Sequence, residues 1–287
     1  MNGSGTIQYI RAQVLENRLL TDGLWFLRLR AAGLEGALPG QFVQLNCGRD
    51  FTVPRPFSIL DTHPANQTID ILYRLVGEGT ERMTTWQKGF ETPLLGPVGK
   101  PFSEPANGAK ALLVAGGVGM APLDFLARRL AAQGVATTLL WGIESDSPFP
   151  VELDPGRAGL EEGYAVRHLQ SHGVVSRLAS LTSRAGFFQG YVTELAAHCL
   201  QQWSPEERAA GMLYSCGPLP MMAALAQVAN RFGMRGEASL EARMACGFGV
   251  CVGCVVWIGD AETGYYRRVC VDGPVFGLDQ VDWSKSC

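Results

Sequence analysis

The sequence predicts a multi-domain chain of the β plus α/β class: an antiparallel β domain, an α/β domain on a parallel sheet, and a small cysteine-rich C-terminal domain. Three observations predict it. Short alternating runs broken by Gly, Pro and Asn fill roughly the first hundred residues. An apolar run, a glycine turn, a helical pattern and a second apolar run follow one another between Ala111 and Gly142. Three cysteines crowd one glycine loop near the C-terminus, and a fourth follows sixteen residues later.

The β domain is read from runs at 7–14, 24–29, 42–45 and 68–74, whose number and spacing suit a small antiparallel barrel or sandwich. The breaker-rich stretch 100–108 reads as a linker. A strand at 111–115, the turn from Gly116 to Pro122, a helix from Leu123 and a strand at 136–142 form a βαβ unit, hence a parallel sheet. A strand at 211–215, a helical pattern after Cys216 and a last strand at 237–240 continue it. From Glu241 the chain is too short to build a core without a metal or its neighbours. The expected domains are therefore 1–103, 104–240 and 241–287.

Composition narrows the function. The chain has 287 residues, 47% of them hydrophobic, and a formal net charge of -3. Neither nucleic acid nor an anionic membrane surface is an expected partner. No apolar run reaches the roughly 18 residues of a spanning helix. The first residues lack the apolar core of a secretion signal, and eight cysteines, four of them set for metal, suit a reducing cytoplasm. No internal repeat or low-complexity tract is evident.

The cysteine segment carries the strongest chemistry. Cys246, Cys251, Cys254 and Cys270 follow C-x4-C-x2-C and then a lone C, the ligand spacing of a plant-type 2Fe–2S cluster. Gly247, Gly249 and Gly253 lie between the first three ligands, where positive φ brings backbone N–H groups towards an anionic centre. Structural zinc would favour two close pairs, and disulfides a small secreted chain. Arg243, Arg267 and Arg268 flank the motif and read as solvated. Cys47 and Cys199 read as buried free thiols, and Cys287 as an unconstrained terminal residue.

Four further motifs suit nucleotides. Gly116, Gly117 and Gly119 join a strand to a helix, with Pro122 in the first turn, an arrangement that lets backbone approach a phosphate. Cys216 and Gly217 end a strand, where open α/β sheets bind ligands and a small thiol can face a nicotinamide ring. Arg55, Pro56, Phe57 and Ser58 combine a guanidinium suited to a pyrophosphate with a hydroxyl suited to a flavin edge. Leu72, Tyr73 and Arg74 leave a strand towards Gly79 and Thr80 at a helix start. Singly, each also reads as a tight turn, a buried cysteine, a surface arginine or a strand end.

In this order the motifs resemble the ferredoxin–NAD(P) reductase superfamily: R-x-[YF]-S, a G-x-G-T turn, GG-x-G-x-AP and CGP. RPFSI, LYRLVGEGT and ACGFGVCVGC make the chain most similar to one branch, the electron-transfer subunits of class B dihydroorotate dehydrogenases. The resemblance spans essentially the whole chain. It implies an antiparallel flavin-binding β-barrel, a Rossmann-like nucleotide-binding α/β domain and a small C-terminal iron–sulfur domain. It implies FAD contacts from Arg55, Pro56, Phe57, Ser58, Leu72, Tyr73, Arg74, Gly79 and Thr80. It places NAD over Gly116, Gly117 and Gly119 and near Cys216 and Gly217, and makes Cys246, Cys251, Cys254 and Cys270 the cluster ligands. Phe57 stands where the wider superfamily often has tyrosine, so a hydroxyl contact is lost there.

The resemblance implies a partner, an FMN-containing dihydroorotate dehydrogenase catalytic subunit, in a heterotetramer of two of each. Electrons would run from that FMN through the 2Fe–2S cluster and FAD to NAD+, in pyrimidine (UMP) biosynthesis. No catalytic acid or base is expected on this chain, and His63, His168, His172 and His198 fall outside every motif. Glu144, after the second strand of the parallel sheet, is a candidate for the NAD ribose. Two alternatives compete: a related NAD(P)H oxidoreductase subunit of a hydrogenase or ferredoxin:NADP+ oxidoreductase complex, and a non-enzymatic redox-sensing module.

Overall fold

The computed structural model describes residues 6–21, 23–48, 50–157 and 160–285; Cys287 lies outside the described residues. Six strands come first: β1 (Gln8–Thr21), β2 (Leu24–Arg30), β3 (Phe42–Leu45), β4 (Arg55–His63), β5 (Thr68–Arg74) and, after helix α1 (Glu78–Thr84), β6 (Glu91–Val98). They close an antiparallel barrel in the order β1-β2-β5-β4-β3-β6. Side chains alternate across each strand, so Val14, Leu27, Leu29, Val43, Leu45, Ile59, Ile71 and Leu94 fill the interior. The barrel expected from spacing is there, with two differences. The first strand runs on to Thr21, and Arg55 to Ser58 begin a strand, β4, that lies outside the four expected runs.

The second unit is β7 (Lys110–Gly116), α2 (Met120–Ala132), β8 (Ala136–Gly142), β9 (Val151–Asp154), β10 (Gly163–Val166), α3 (Arg167–Ser171), β11 (Val175–Ser180), β12 (Phe188–Gln189), α4 (Val192–Gln201), α5 (Pro205–Ala210), β13 (Met212–Cys216), α6 (Leu219–Phe232) and β14 (Arg235–Ser239). Its sheet runs β12-β11-β8-β7-β13-β14, parallel throughout. The chain builds outward from β7 on one side and then crosses to β13 on the other. The carboxyl ends of β7 and β13 are therefore the topological switch point, where such sheets bind ligands. The β9–β10 hairpin, a separate two-stranded sheet, was not foreseen.

The cysteine segment is not a detached appendage. Its strands β15 (Val255–Ile258) and β16 (Tyr265–Arg268) form a hairpin, and β17 (Val275–Gly277) adds antiparallel to β14. Cys254, Val256, Val269 and Cys270 share one core with Phe42 and Val98 of the barrel and Leu213 and Met222 of the α/β unit. The short segment thus borrows its core from both larger units, as its size requires.

Candidate functional site

A cavity of about 780 Å³ opens where the three units meet. All nine residues expected at a flavin line it: Arg55, Pro56, Phe57 and Ser58 from β4, Leu72, Tyr73 and Arg74 from β5, and Gly79 and Thr80 from α1. Adjacent antiparallel strands bring the first two groups side by side. Val118 and Ala121 from the β7–α2 turn form a second wall, and Ser239 to Met244, Val269 and Pro274 form a third. The sequence reading missed that third wall, because only tertiary packing brings it to β4.

Individual side chains refine the expected roles. The Tyr73 hydroxyl donates to Asn17 at 3.0 Å, and burial raises its pKa, so the ring rather than the hydroxyl faces the cavity. Thr80 Oγ1 accepts from the N–H groups of Val76 and Gly77 at 3.0 and 3.2 Å and donates to the Gly77 carbonyl, which shapes the loop before α1. Arg55 donates to the Val53 carbonyl at 2.6 Å and lies close to Cys47. Burial pushes the Cys47 and Cys199 thiols up to about 11, in keeping with inert core cysteines. A cavity of this size with apolar walls and three guanidinium groups (Arg55, Arg74 and Arg243) has the chemistry of a dinucleotide site, and FAD fits it.

The β7–α2 turn and the Cys216–Gly217 turn interlock at the switch point. A Cβ on Gly119 would lie 2.1 Å from the Cys216 carbonyl oxygen, and one on Gly116 would lie 2.7 Å from Pro218 and Met221. One on Gly217 would meet the Gly116 backbone at 2.9 Å. These glycines are there for packing between turns. Gly117 differs: its φ is +53 and a Cβ there would meet nothing within 4 Å. Trp141 Nε1 donates to its carbonyl at 3.0 Å and holds it in place. The Cys216 thiol is 1% exposed. Its pKa is raised by burial and by the Glu241 carboxylate, with a hydrogen bond to Ser239 opposing. Gly116, Gly117, Gly119, Cys216 and Gly217 come together but stand beside the cavity rather than in its lining. Glu144 follows β8 as expected, yet its carboxylate accepts from Leu181 N–H and Ser180 Oγ at 2.9 and 3.0 Å.

The four motif cysteines gather as two pairs. Cys251 N–H donates to Cys246 Sγ at 3.5 Å. Burial raises the Cys246 thiol, but the N–H groups of Cys251 and Phe248, the Cys251 thiol and the Val250 N–H outweigh it and bring it down to about 6. Cys270 is pushed up to about 12 by burial and by its neighbour Cys254, with Gly249 N–H opposing. Among the described residues no three His, Cys, Asp or Glu side chains are grouped to hold a single ion. Two thiol pairs under converging N–H groups are instead the donor set of a binuclear cluster, and 2Fe–2S fits.

Within the loop, Gly247 and Gly249 take φ of +77 and +87 as expected, but Gly253 does not. A Cβ there would make only ordinary contact, 3.6 Å from Cys251 Sγ, so neither backbone conformation nor packing requires this glycine. The third positive φ belongs to Val252, at 54, a strained conformation for a β-branched residue. Arg268, read as solvated, instead donates to Asp272 and to the Gly249 carbonyl, both at 3.1 Å, and braces the loop. Cys254 and Cys270 are buried, while Cys251 is exposed beside exposed Phe248, Val250 and Val252. One pair faces inward, next to the cavity residue Val269, and the other faces outward.

Known proteins resemble this chain in sequence and in fold. Residues 241–282 match the family model described as the iron-sulfur cluster binding domain of dihydroorotate dehydrogenase B. A relative from Caldanaerobacter subterraneus subsp. tengcongensis, named dihydroorotate dehydrogenase B (NAD(+)), electron transfer subunit, is 32% identical across 95% of this chain and 98% of its own length. One of the same name from Shouchella clausii is 34% identical across 86% and 90%. Among solved structures, an NADH-dependent reduced ferredoxin-NADP oxidoreductase superposes with a TM-score of 0.79 at 24% identity, covering 99% of this chain and 92% of that one. A ferredoxin NADP+ reductase from Neisseria gonorrhoeae with bound FAD and NADP gives 0.58 at 17% identity, over 78% and 92%. These two likenesses concern the fold. The sequence relatives go further, and the chain belongs to the family of dihydroorotate dehydrogenase B electron transfer subunits.

Proposed function

We propose that this chain is the half of a dihydroorotate dehydrogenase that delivers electrons to NAD+, receiving them from the FMN of a dihydroorotate-oxidising partner in pyrimidine (UMP) biosynthesis. The observation that carries the reading is the shared cavity, walled by the barrel motifs, the β7–α2 turn and the cysteine segment. When bound, a 2Fe–2S cluster supplies one-electron transfer, and FAD joins it to the two-electron chemistry of nicotinamide.

The protein's work is to bind, orient and shield. Arg55 and Arg74 are assigned to the FAD pyrophosphate, Ser58 and Phe57 to its ring, and Pro56, Leu72, Tyr73, Gly79 and Thr80 to its walls. Gly116, Gly117, Gly119, Cys216 and Gly217 are assigned to NAD, with Gly117 as the open position where a phosphate approaches backbone. Cys246, Cys251, Cys254 and Cys270 are assigned to the cluster. Consecutive Cα atoms are about 3.8 Å apart, so Val269 on the cavity wall beside Cys270 of the assigned ligand set favours adjoining sites for the two cofactors.

The FMN-bearing partner, the two-plus-two assembly and a cytoplasmic setting complete the proposal. Exposed Phe248, Val250 and Val252 beside the outward thiol pair favour a partner docked there. No described helix is long and apolar enough to cross a membrane. The division into 1–103, 104–240 and 241–287 follows the three binding tasks.

The test is co-purification with the dihydroorotate-oxidising subunit, cofactor analysis and an NADH–orotate assay. The expected result is a complex in which this chain contributes FAD and two irons and couples orotate reduction to NADH oxidation. NADH-dependent orotate reduction that proceeds equally well with the partner subunit alone would sink the reading.

A further inference from the structure

We propose that the side-chain amide of Gln44, a barrel residue outside every motif, donates a hydrogen bond to a sulfur of the 2Fe–2S cluster and raises its reduction potential. Gln44 lies on β3, where Val43 and Leu45 point into the barrel core. Phe42 and Gln44 therefore share the outer face. Phe42 packs in the core that contains Cys254 and Cys270, so this face is covered by the cysteine segment. Gln44 is 1% exposed, and neither Nε2 nor Oε1 has a hydrogen-bond partner among the described residues. Buried amides without partners are rare and call for a physical explanation.

The location supplies one. A Cβ on Gly247, the residue after Cys246, would lie 2.9 Å from Gln44 Cγ and Nε2. The ligand loop therefore rests directly on this amide, and the missing side chain of Gly247 makes the approach possible. Cluster and cysteine sulfurs accept hydrogen bonds, and the amide turns Nε2, its donor, towards the ligand loop. The same residue pairs across the strands with Pro56 of the Arg55–Ser58 motif. Gln44 thus stands between the cluster loop and the strand assigned to flavin. A donor at sulfur favours the reduced cluster, which carries one more negative charge.

The inference rests on the 2Fe–2S reading, and the experiment separates the two. The complete complex is prepared with glutamine labelled with 15N in the side-chain amide, reduced, and measured by pulsed EPR, with Gln44→Leu alongside. A 15N coupling to the cluster is expected in the unsubstituted complex and its loss in Gln44→Leu. The variant's ratio of reduced to oxidised cluster at fixed ambient potential should fall about tenfold, or about 59 mV for one electron. A normal cluster signal without amide nitrogen coupling overturns the role of Gln44 and leaves the cluster reading intact. Absence of any 2Fe–2S signal overturns both. Should Gln44→Leu fail to accumulate, the labelled unsubstituted complex decides by itself.

Discussion

The β7–α2 turn and the cysteine loop are both glycine-rich and both face anionic groups in the proposed function, yet glycine serves them differently. In the turn, Gly116 and Gly119 make room for protein, since side chains there would strike Pro218, Met221 and the Cys216 backbone. In the loop, Gly247 and Gly249 supply positive φ that aims N–H groups. The turn belongs to a sheet and is held by its packing against the Cys216–Gly217 turn. The loop has almost no regular structure, contains a strained Val252 and is braced by Arg268. Damage to the turn should cost the fold, whereas damage to the loop should cost a cofactor and leave the fold standing.

The largest effect tests the second half of that contrast. Cys251→Ser removes an exposed thiol assigned to the cluster and no core contact. Iron should fall from two atoms per chain to near none, while FAD content and the melting transition stay close to the unsubstituted values. Iron analysis with flavin absorbance checks it, and a full two irons per chain would remove Cys251 from the ligand set. The first half is tested by Gly119→Ala. Its Cβ would sit 2.1 Å from a carbonyl oxygen that cannot step aside without moving β13. Overpacking of this kind costs about 3 kcal/mol. Denaturant unfolding should show the loss with the cysteine loop untouched, and an unchanged midpoint would mean the two turns yield easily.

A smaller effect belongs to the cavity between them. Arg55→Ala removes a guanidinium from the wall assigned to the FAD pyrophosphate. A charge-assisted hydrogen bond contributes about 1.5–3 kcal/mol, so FAD should bind roughly ten- to a hundredfold more weakly. Flavin retained after dilution and gel filtration measures this, and Arg55→Lys should recover only part of it because a lysine lacks the fork.

The two loops were legible because their chemistry is local. Ligand spacing, glycine placement and a strand–turn–helix order lie within a few residues of one another, and so do Arg55 to Ser58. What escaped reading depends on distant segments meeting. Met244, Val269 and Pro274 form a cavity wall only because the cysteine segment folds back onto β3 and β6. Gln44 sits in an alternating strand, where a polar residue reads as solvent-facing until another segment covers it. Gly119 was read as a phosphate glycine, since nothing local shows that Cys216 lies against it. The buried ties of helix α2 were equally invisible, because Asp124 and Arg128 look like the ordinary polar face of a helix.

Those ties give the smallest effect, seen only in acid. Asp124 is 1% exposed. It accepts from Arg128 Nε at 2.6 Å and is hydrogen-bonded to His168 Nε2. Arg128 also reaches across to the barrel, donating to Asp61 at 2.6 Å and to the Leu60 carbonyl at 3.0 Å. The helix that follows the glycine turn is thereby fastened to β4. Burial opposes the Asp124 carboxylate, but His168 and Arg128 outweigh it and hold its pKa below the ordinary value. A depressed carboxylate stabilises the fold above its unfolded pKa, about 3.9, and the contribution is lost as pH falls from there through the folded value. From pH 7 to 5 this group should leave the melting temperature unchanged, and below about pH 4 it should steepen the decline. Asp124→Asn starts lower but cannot titrate, so its acid limb should be shallower. Both are best compared in the Cys251→Ser background, where acid release of iron does not enter. Parallel curves would mean that the turn is held to the barrel by packing alone, and would shift the rigidity of that loop from charge to the Phe26–Leu60–Leu72–Ala121 contact.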